Sequence, residues 1–253
     1  MASLLAVIGG TGFGEFVGLE GATHASLDTA WGSVDVQFGE LDGVQVVFLP
    51  RHGMPPSTPP HRINYRAHVQ ALVDAGADAV IAVTAVGSVD PTLGVPSVVV
   101  PDQVIDYTWG RAHTFFDGEI HHIDFTFPYD ETWRSRLVAA AQAVRSTEEG
   151  MLFRETGVYG CTQGPRLETA AEIARMGRDG CHIVGMTAMP EVALAREREL
   201  PYAGISVVVN HGAGIGGQVV HLDEIEAAMS KGMGWVRAIL RRAFSDYSAG
   251  PGL

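Results

Sequence analysis

Short apolar runs bounded by glycine or proline recur along this chain, at residues 4–8, 45–49, 79–84, 97–100, 157–161, 182–186 and 203–209. Most are continuous rather than alternating, the pattern of strands buried on both faces. Between several of them the period changes to that of a helix. Residues 64–75 carry Tyr65, His68, Val69 and Leu72 at helical spacing, and residues 131–144 and 168–176 follow the same rule. Pro190 opens a helix expected over 191–199, and residues 223–244 set Ile225, Met229, Met233, Val236 and Leu240 along one stripe. Strands alternating with helices imply an α/β fold with helices on both faces of the sheet. Region 20–50 reads differently, as short strands and turns punctuated by Gly21, Gly32, Gly39 and Gly43. Residues 107–130 are aromatic and rich in histidine without a clear period, and loops of that length in a compact domain are usually functional. No repeat, linker or low-complexity tract divides the 253 residues, so one domain over 1–253 is expected.

Charge excludes several function classes. With Lys+Arg 17 against Asp+Glu 29, the chain carries a formal −12. Such an anion is a poor general binder of nucleic acid or of an anionic membrane surface. A small anionic substrate is still admitted, because it needs only a local cluster of donors in a cleft. Cys161 and Cys181 form neither a disulfide framework nor a CxxC pair. Reduced thiols and a cytoplasmic location are the expectation. The apolar run at the N-terminus is too short for a signal peptide, and no run reaches the ~18 residues of a membrane span.

Five constellations carry possible chemistry. Gly9-Gly10-Thr11-Gly12 follows the run 4–8. It is either a tight turn or a set of backbone N–H groups offered to an anion. A dinucleotide fingerprint starting at Gly10 fails, since Glu15 stands where a glycine is required. Pro50-Arg51-His52-Gly53 closes the run 45–49, where the planar fork of Arg51 suits a phosphate oxyanion or an ordinary salt bridge. Thr84 closes the run 79–84 and Thr187 follows 182–186. Thr11, Arg51, Thr84 and Thr187 are therefore donors at predicted strand ends, on the rim where open α/β sheets bind ligands. In Cys161-Thr162-Gln163-Gly164-Pro165-Arg166-Leu167-Glu168-Thr169 a turn precedes a helix predicted to begin near Glu168. That carboxylate either accepts an N–H from a ligand or favours the helix dipole. Asn210 ends the last apolar run before a glycine-rich loop. It is either a turn residue or a donor and acceptor for the edge of a purine.

Taken in order, VIGGTG, RHG, NYRAH, TAVGS, QGPRLET, GMTAMPE and VVVN resemble the trimeric purine nucleoside phosphorylase and methylthioadenosine phosphorylase family over nearly the whole chain. The resemblance implies a single-domain nucleoside phosphorylase-like α/β fold, with a mixed, barrel-like central sheet flanked by helices. It also implies a homotrimer with active sites shared between subunits, and metal-free phosphorolysis in which inorganic phosphate is a co-substrate and no cofactor is used. Thr11, Arg51, His52, Thr84, Ala85 and Thr187 match the family's phosphate site. Met186 matches the residue under the ribose, and Leu167 replaces an aromatic residue packed on the base. His122, or the adjacent His121, resembles the residue that enters a neighbour's 5′ pocket.

Adenine-specific members of the family have Asp in place of Asn210 and Ser in place of Glu168, whereas oxopurine-specific members have the Glu and Asn found here. The chemistry agrees: a 6-oxopurine presents N1–H to a carboxylate, whereas adenine N1 is itself an acceptor. Leu222 stands where inosine-cleaving members have a histidine for the 5′-hydroxyl, so a 5′-methylthio group is favoured. The implied reaction is phosphate-dependent cleavage of S-methyl-5′-thioinosine to hypoxanthine and 5-methylthioribose 1-phosphate, with Glu168 and Asn210 at the base. Open alternatives are a methylthioadenosine phosphorylase, an inosine or guanosine phosphorylase, a nucleosidase, a non-catalytic purine-binding protein, and a metalloenzyme built on His121, His122 and Asp124.

Overall fold

The continuous apolar runs become neighbouring strands whose two faces are both covered. The computed structural model describes residues 3–13, 18–217 and 222–248. In it β1 (Leu4–Gly9) lies between β4 (Val44–Pro50) and β5 (Ala79–Ser88), and β5 pairs on its other edge with β11 (Tyr202–His211), all parallel. Alternate residues face opposite layers, as the period of a strand requires. Leu5, Val7, Ile81, Ile205 and Val207 pack with Trp133, Leu137, Val236, Leu240 and Phe244 of α2 (Glu131–Arg145) and α5 (Leu222–Ser248). Ala6, Ile8, Val80 and Val208 pack with Val69, Leu72, Val192 and Leu194 of α1 (Tyr65–Asp74) and α4 (Ala188–Glu197). Helices therefore cover both faces of a mixed sheet, which has 11 strands among the described residues.

The other strands are β2 (Glu20–Thr29), β3 (Gly32–Leu41), β6 (Ser97–Val99), β7 (Gln103–Asp106), β8 (Leu152–Arg154), β9 (Val158–Cys161) and β10 (Ile183–Gly185). Region 20–50 corrects the sequence reading, because β2 and β3 form an antiparallel pair of ten-residue strands rather than short pieces. A bulge between Glu20 and Thr23 absorbs Gly21, and Gly39 stays in register, so these glycines do not end strands. The three- and four-residue strands β7 and β8 are too short and too polar to register as apolar runs.

Helix starts follow their caps. Asn64 Oδ1 accepts the Ala67 N–H, and Asp130 accepts from Trp133. The helix expected near Glu168 begins later, as α3 (Ala170–Arg178), because Thr169 and Glu172 form a reciprocal capping box. The stretch assigned to α4 is interrupted at Met189, whose backbone is extended (φ −108°, ψ 136°), so its regular helix opens at Pro190 as the sequence predicts. The loop 107–130 has no regular element and is held by two arginines. The Arg198 guanidinium lies 4.0 Å from the Phe115 ring centroid and 5.3 Å from that of Trp31. Arg111 is buried and donates to the carbonyls of Thr162, Gln163, Met186 and Met189.

Candidate active site

The site forms where the sheet splits. Along one edge of β5, pairing with β1 ends at Val83, and antiparallel pairing with β10 begins only at Gly87. Thr84 to Val86 border the opening between those two strands. The Gly9–Gly12 turn lies beside it, joined by the Arg51 N–H donating to Gly9 O at 2.9 Å. Met186 and Thr187, just past the end of β10, border the same opening as Ala85 and Thr84. A cavity of about 680 Å³ fills the opening.

Thr11, Arg51, His52, Thr84, Ala85, Leu167, Glu168, Met186, Thr187 and Asn210 all line this cavity. Ten positions scattered between 11 and 210 thus meet in one place. Their settings differ from the sequence expectation in three respects. Thr84 lies inside β5, which continues to Ser88, and is not at a strand end. Its hydroxyl pairs with Ser206 Oγ at 2.8 Å. Glu168 precedes the cap of α3 and is not in its first turn. Asn210 follows a bulge in β11, where the pairing steps from Val208 opposite Val86 to Asn210 opposite Gly87. Its Nδ2 donates to His211 O at 2.8 Å, which leaves one N–H and the carbonyl for a ligand. Leu167 is 56% exposed at the cavity's edge. His121 stacks on Phe116, whereas His122 is exposed and does not line the cavity of its own chain. Leu222 begins α5, but its side chain lies outside the described residues. Among the described residues no three His, Cys, Asp or Glu side chains converge on a metal position, so His121, His122 and Asp124 do not form a ligand set.

Arg51 is the buried centre of the site, 1% exposed. Its Nε and Nη2 donate to the two carboxylate oxygens of Glu191 at 2.7 and 2.9 Å, and Nη1 donates to Val83 O at 2.9 Å. Burial alone would lower the guanidinium pKa, but Glu191 beside it outweighs that and raises it. Gly10 permits this placement, since a Cβ there would stand 2.8 Å from Arg51 Nη1. His52 Nδ1 donates to Thr58 O at 2.8 Å. Burial lowers the His52 pKa, and the charge of Arg51 adds to that effect. The ring is therefore neutral, with Nε2 as an acceptor.

Sequence reasoning missed Glu191, Arg111 and Ser206. Glu191 sits in the GMTAMPE motif, but nothing local marks it as the partner of Arg51, 140 residues away. A charged residue inside an apolar helical stretch was the available signal.

The phosphorylase superfamily profile matches residues 4–245. This chain belongs to the phosphorylase superfamily. A protein named "Probable S-methyl-5′-thioinosine phosphorylase" from Pseudomonas syringae pv. tomato is 50% identical over 96% of this chain and 99% of its own length. The 6-oxopurine nucleoside phosphorylase of Pyrococcus furiosus is 39% identical, covering 93% of this chain and 90% of that one. Among solved structures, methylthioadenosine phosphorylase from Schistosoma mansoni in complex with adenine superposes with a TM-score of 0.88 at 31% identity, over 98% of this chain and 93% of that one.

Behind the cavity, α1 carries a pH liability. Burial lowers His68, on α1, to about 4, with Glu191 opposing and Arg51 and His52 adding to the shift. Above the ordinary value of 6.5 both folded and unfolded forms are neutral there, and this contribution to stability is complete. As pH falls from 6.5 towards 4, the unfolded chain takes up a proton that the folded chain refuses, costing about 1.4 kcal/mol per pH unit. His68→Asn is expected to flatten this limb, leaving the smaller slopes from His52 and His182, which burial also lowers. Denaturant unfolding at pH 7.5, 6.0 and 5.0 reads it, and equal slopes for variant and parent would refute it.

Proposed function

We propose that this chain is a nucleoside phosphorylase that cleaves S-methyl-5′-thioinosine with inorganic phosphate, giving hypoxanthine and 5-methylthioribose 1-phosphate. The observation that carries the reading is the meeting of Glu168 and Asn210 in the same cavity as Arg51. A carboxylate accepts the N1–H of a 6-oxopurine, and the amide of Asn210 donates to O6 and accepts at a protonated N7. The 5′-methylthio preference is supported by the names of the relatives and by leucine at position 222.

Phosphate takes the end of the cavity lined by Thr11, Arg51, His52, Thr84, Ala85 and Thr187. Arg51 commits three of its five N–H groups to Glu191 and Val83, and the other two remain for the oxyanion. Because Glu191 balances the charge of Arg51 and His52 is neutral, this end offers hydrogen bonds more than net positive charge. The neutral Nε2 of His52 accepts a P–OH of hydrogen phosphate. A phosphate oxygen attacks C1′ as the bond to N9 breaks, and the electron pair leaves with the purine. Asn210 meets the charge that develops there. Catalysis then rests on positioning and electrostatics, without a protein nucleophile. The reading places the chain as a cytoplasmic homotrimer in which His122 reaches a neighbouring subunit's 5′ pocket.

The similarity to an adenine-bound methylthioadenosine phosphorylase makes adenine release the second reading. Base release from methylthioinosine, methylthioadenosine and inosine, each with and without phosphate, decides between them. Expected are no turnover without phosphate and a preference for methylthioinosine over methylthioadenosine of roughly 10²-fold or more. Faster adenine release would overturn the base assignment. Turnover without phosphate would make the protein a nucleosidase.

A further inference from the structure

Glu168 sits on the wall between two cavities. Beside the active site lies a second cavity of about 500 Å³, whose lining includes Trp109, Thr162, Arg166, Glu168, Glu172 and Arg175. Glu168 lines both. Its carboxylate could therefore turn away from the purine and towards the cations of Arg166 and Arg175. Thr162 Oγ1 opposes that turn by donating to Glu168 Oε1 at 2.6 Å. Thr162 is itself anchored, since its N–H donates to Gly185 O at 2.8 Å and its carbonyl accepts from Arg111 Nη2 at 3.2 Å. The neighbouring carboxylate, Glu172, is committed to Arg166 and to the Thr169 N–H.

We propose that Thr162 is a specificity-determining positioning residue. Its hydroxyl tethers one oxygen of Glu168 at the wall between the two cavities and leaves the other facing N1–H of a 6-oxopurine, which sets the preference over a 6-aminopurine. The inference rests on the base assignment above. A tethered carboxylate presents one fixed acceptor, whereas an untethered one must give up its freedom and its attraction to the arginines each time substrate binds.

The test measures kcat/KM for methylthioinosine and methylthioadenosine at saturating phosphate in the parent, Thr162→Val and Thr162→Ser, and repeats Thr162→Val in a Glu168→Gln background. Losing a hydrogen bond to a charged group predicts a drop of roughly tenfold or more for methylthioinosine in Thr162→Val. The methylthioadenosine value should barely change, so the ratio narrows by the same factor. The KM for phosphate stays as in the parent, Thr162→Ser keeps the parent ratio, and in Glu168→Gln the valine has less than about a twofold further effect. An unchanged ratio in Thr162→Val overturns the proposal. So does an equal loss on both nucleosides accompanied by a raised phosphate KM, which is the signature of a merely structural role. Should valine impair folding, Thr162→Cys keeps the volume with a weaker donor and carries the same expectation. A parent enzyme that prefers methylthioadenosine shows, before any variant is made, that the base assignment itself has failed.

Discussion

Glu191→Ala is expected to destabilise the protein by roughly 3–5 kcal/mol and to remove most phosphorolysis. Glu191 is 0% exposed, pairs through both oxygens with Arg51, and accepts the Tyr202 hydroxyl at 2.7 Å. Alanine leaves a guanidinium buried without a counter-charge and a buried phenol without an acceptor. For a chain of this length the loss corresponds to a fall in Tm of about 10 °C. The functional loss has a separate origin. With both carboxylate contacts gone, Arg51 retains only the Val83 carbonyl to fix its plane, and its remaining N–H groups no longer point at one oxyanion position. A fall of roughly 10²-fold or more in kcat/KM for phosphate follows. Replacing both partners, as Arg51→Met with Glu191→Leu, is expected to recover much of the stability, because no uncompensated charge remains, while activity stays lost. Denaturant unfolding and initial rates against phosphate read the two effects. A single variant within about 1 kcal/mol of the parent, with an unchanged phosphate KM, would show that the pair does not govern the site.

Exchanging the base contacts should reverse the substrate preference. Glu168→Ser removes the acceptor for N1–H, and Asn210→Asp puts a carboxylate where O6 would lie. For methylthioinosine the double variant then offers repulsion at O6 and no partner at N1, which costs roughly 10³-fold or more. For methylthioadenosine the same aspartate accepts the exocyclic amino group, and serine can donate to N1. Asn210→Asp alone retains Glu168 against N1 and is expected to be poor on both nucleosides. The observable is the ratio of kcat/KM for the two substrates. A shift of less than tenfold in the double variant would mean that other residues choose the base.

Much of this was legible in the linear chain, for reasons that can be named. The buried strands showed as continuous apolar runs because helices cover both faces of the sheet, and their glycine-bounded ends pointed to Thr11 and Arg51. The helix over 168–176 began two residues late because the Thr169–Glu172 capping box, which the pattern also contains, outweighs the apolar spacing. Thr84 read as a strand end because the run of large apolar side chains stops there. Yet β5 continues to Ser88 by pairing with β10 and β11, which lie about a hundred residues further on.

The sequence by itself determined which residue types stand at the ends of which apolar runs, because periodicity and turn chemistry are local properties of the chain. It also carried the ordered motifs from which family membership follows. Only the tertiary structure decided how those residues act on one another. It enclosed Arg51 with Glu191, placed Thr162 against Glu168, made His68 refuse a proton, and opened the cavity between β1 and β10. Each of these is set by burial and by contacts between segments far apart in the chain, and neither quantity exists until the sheet has closed around them.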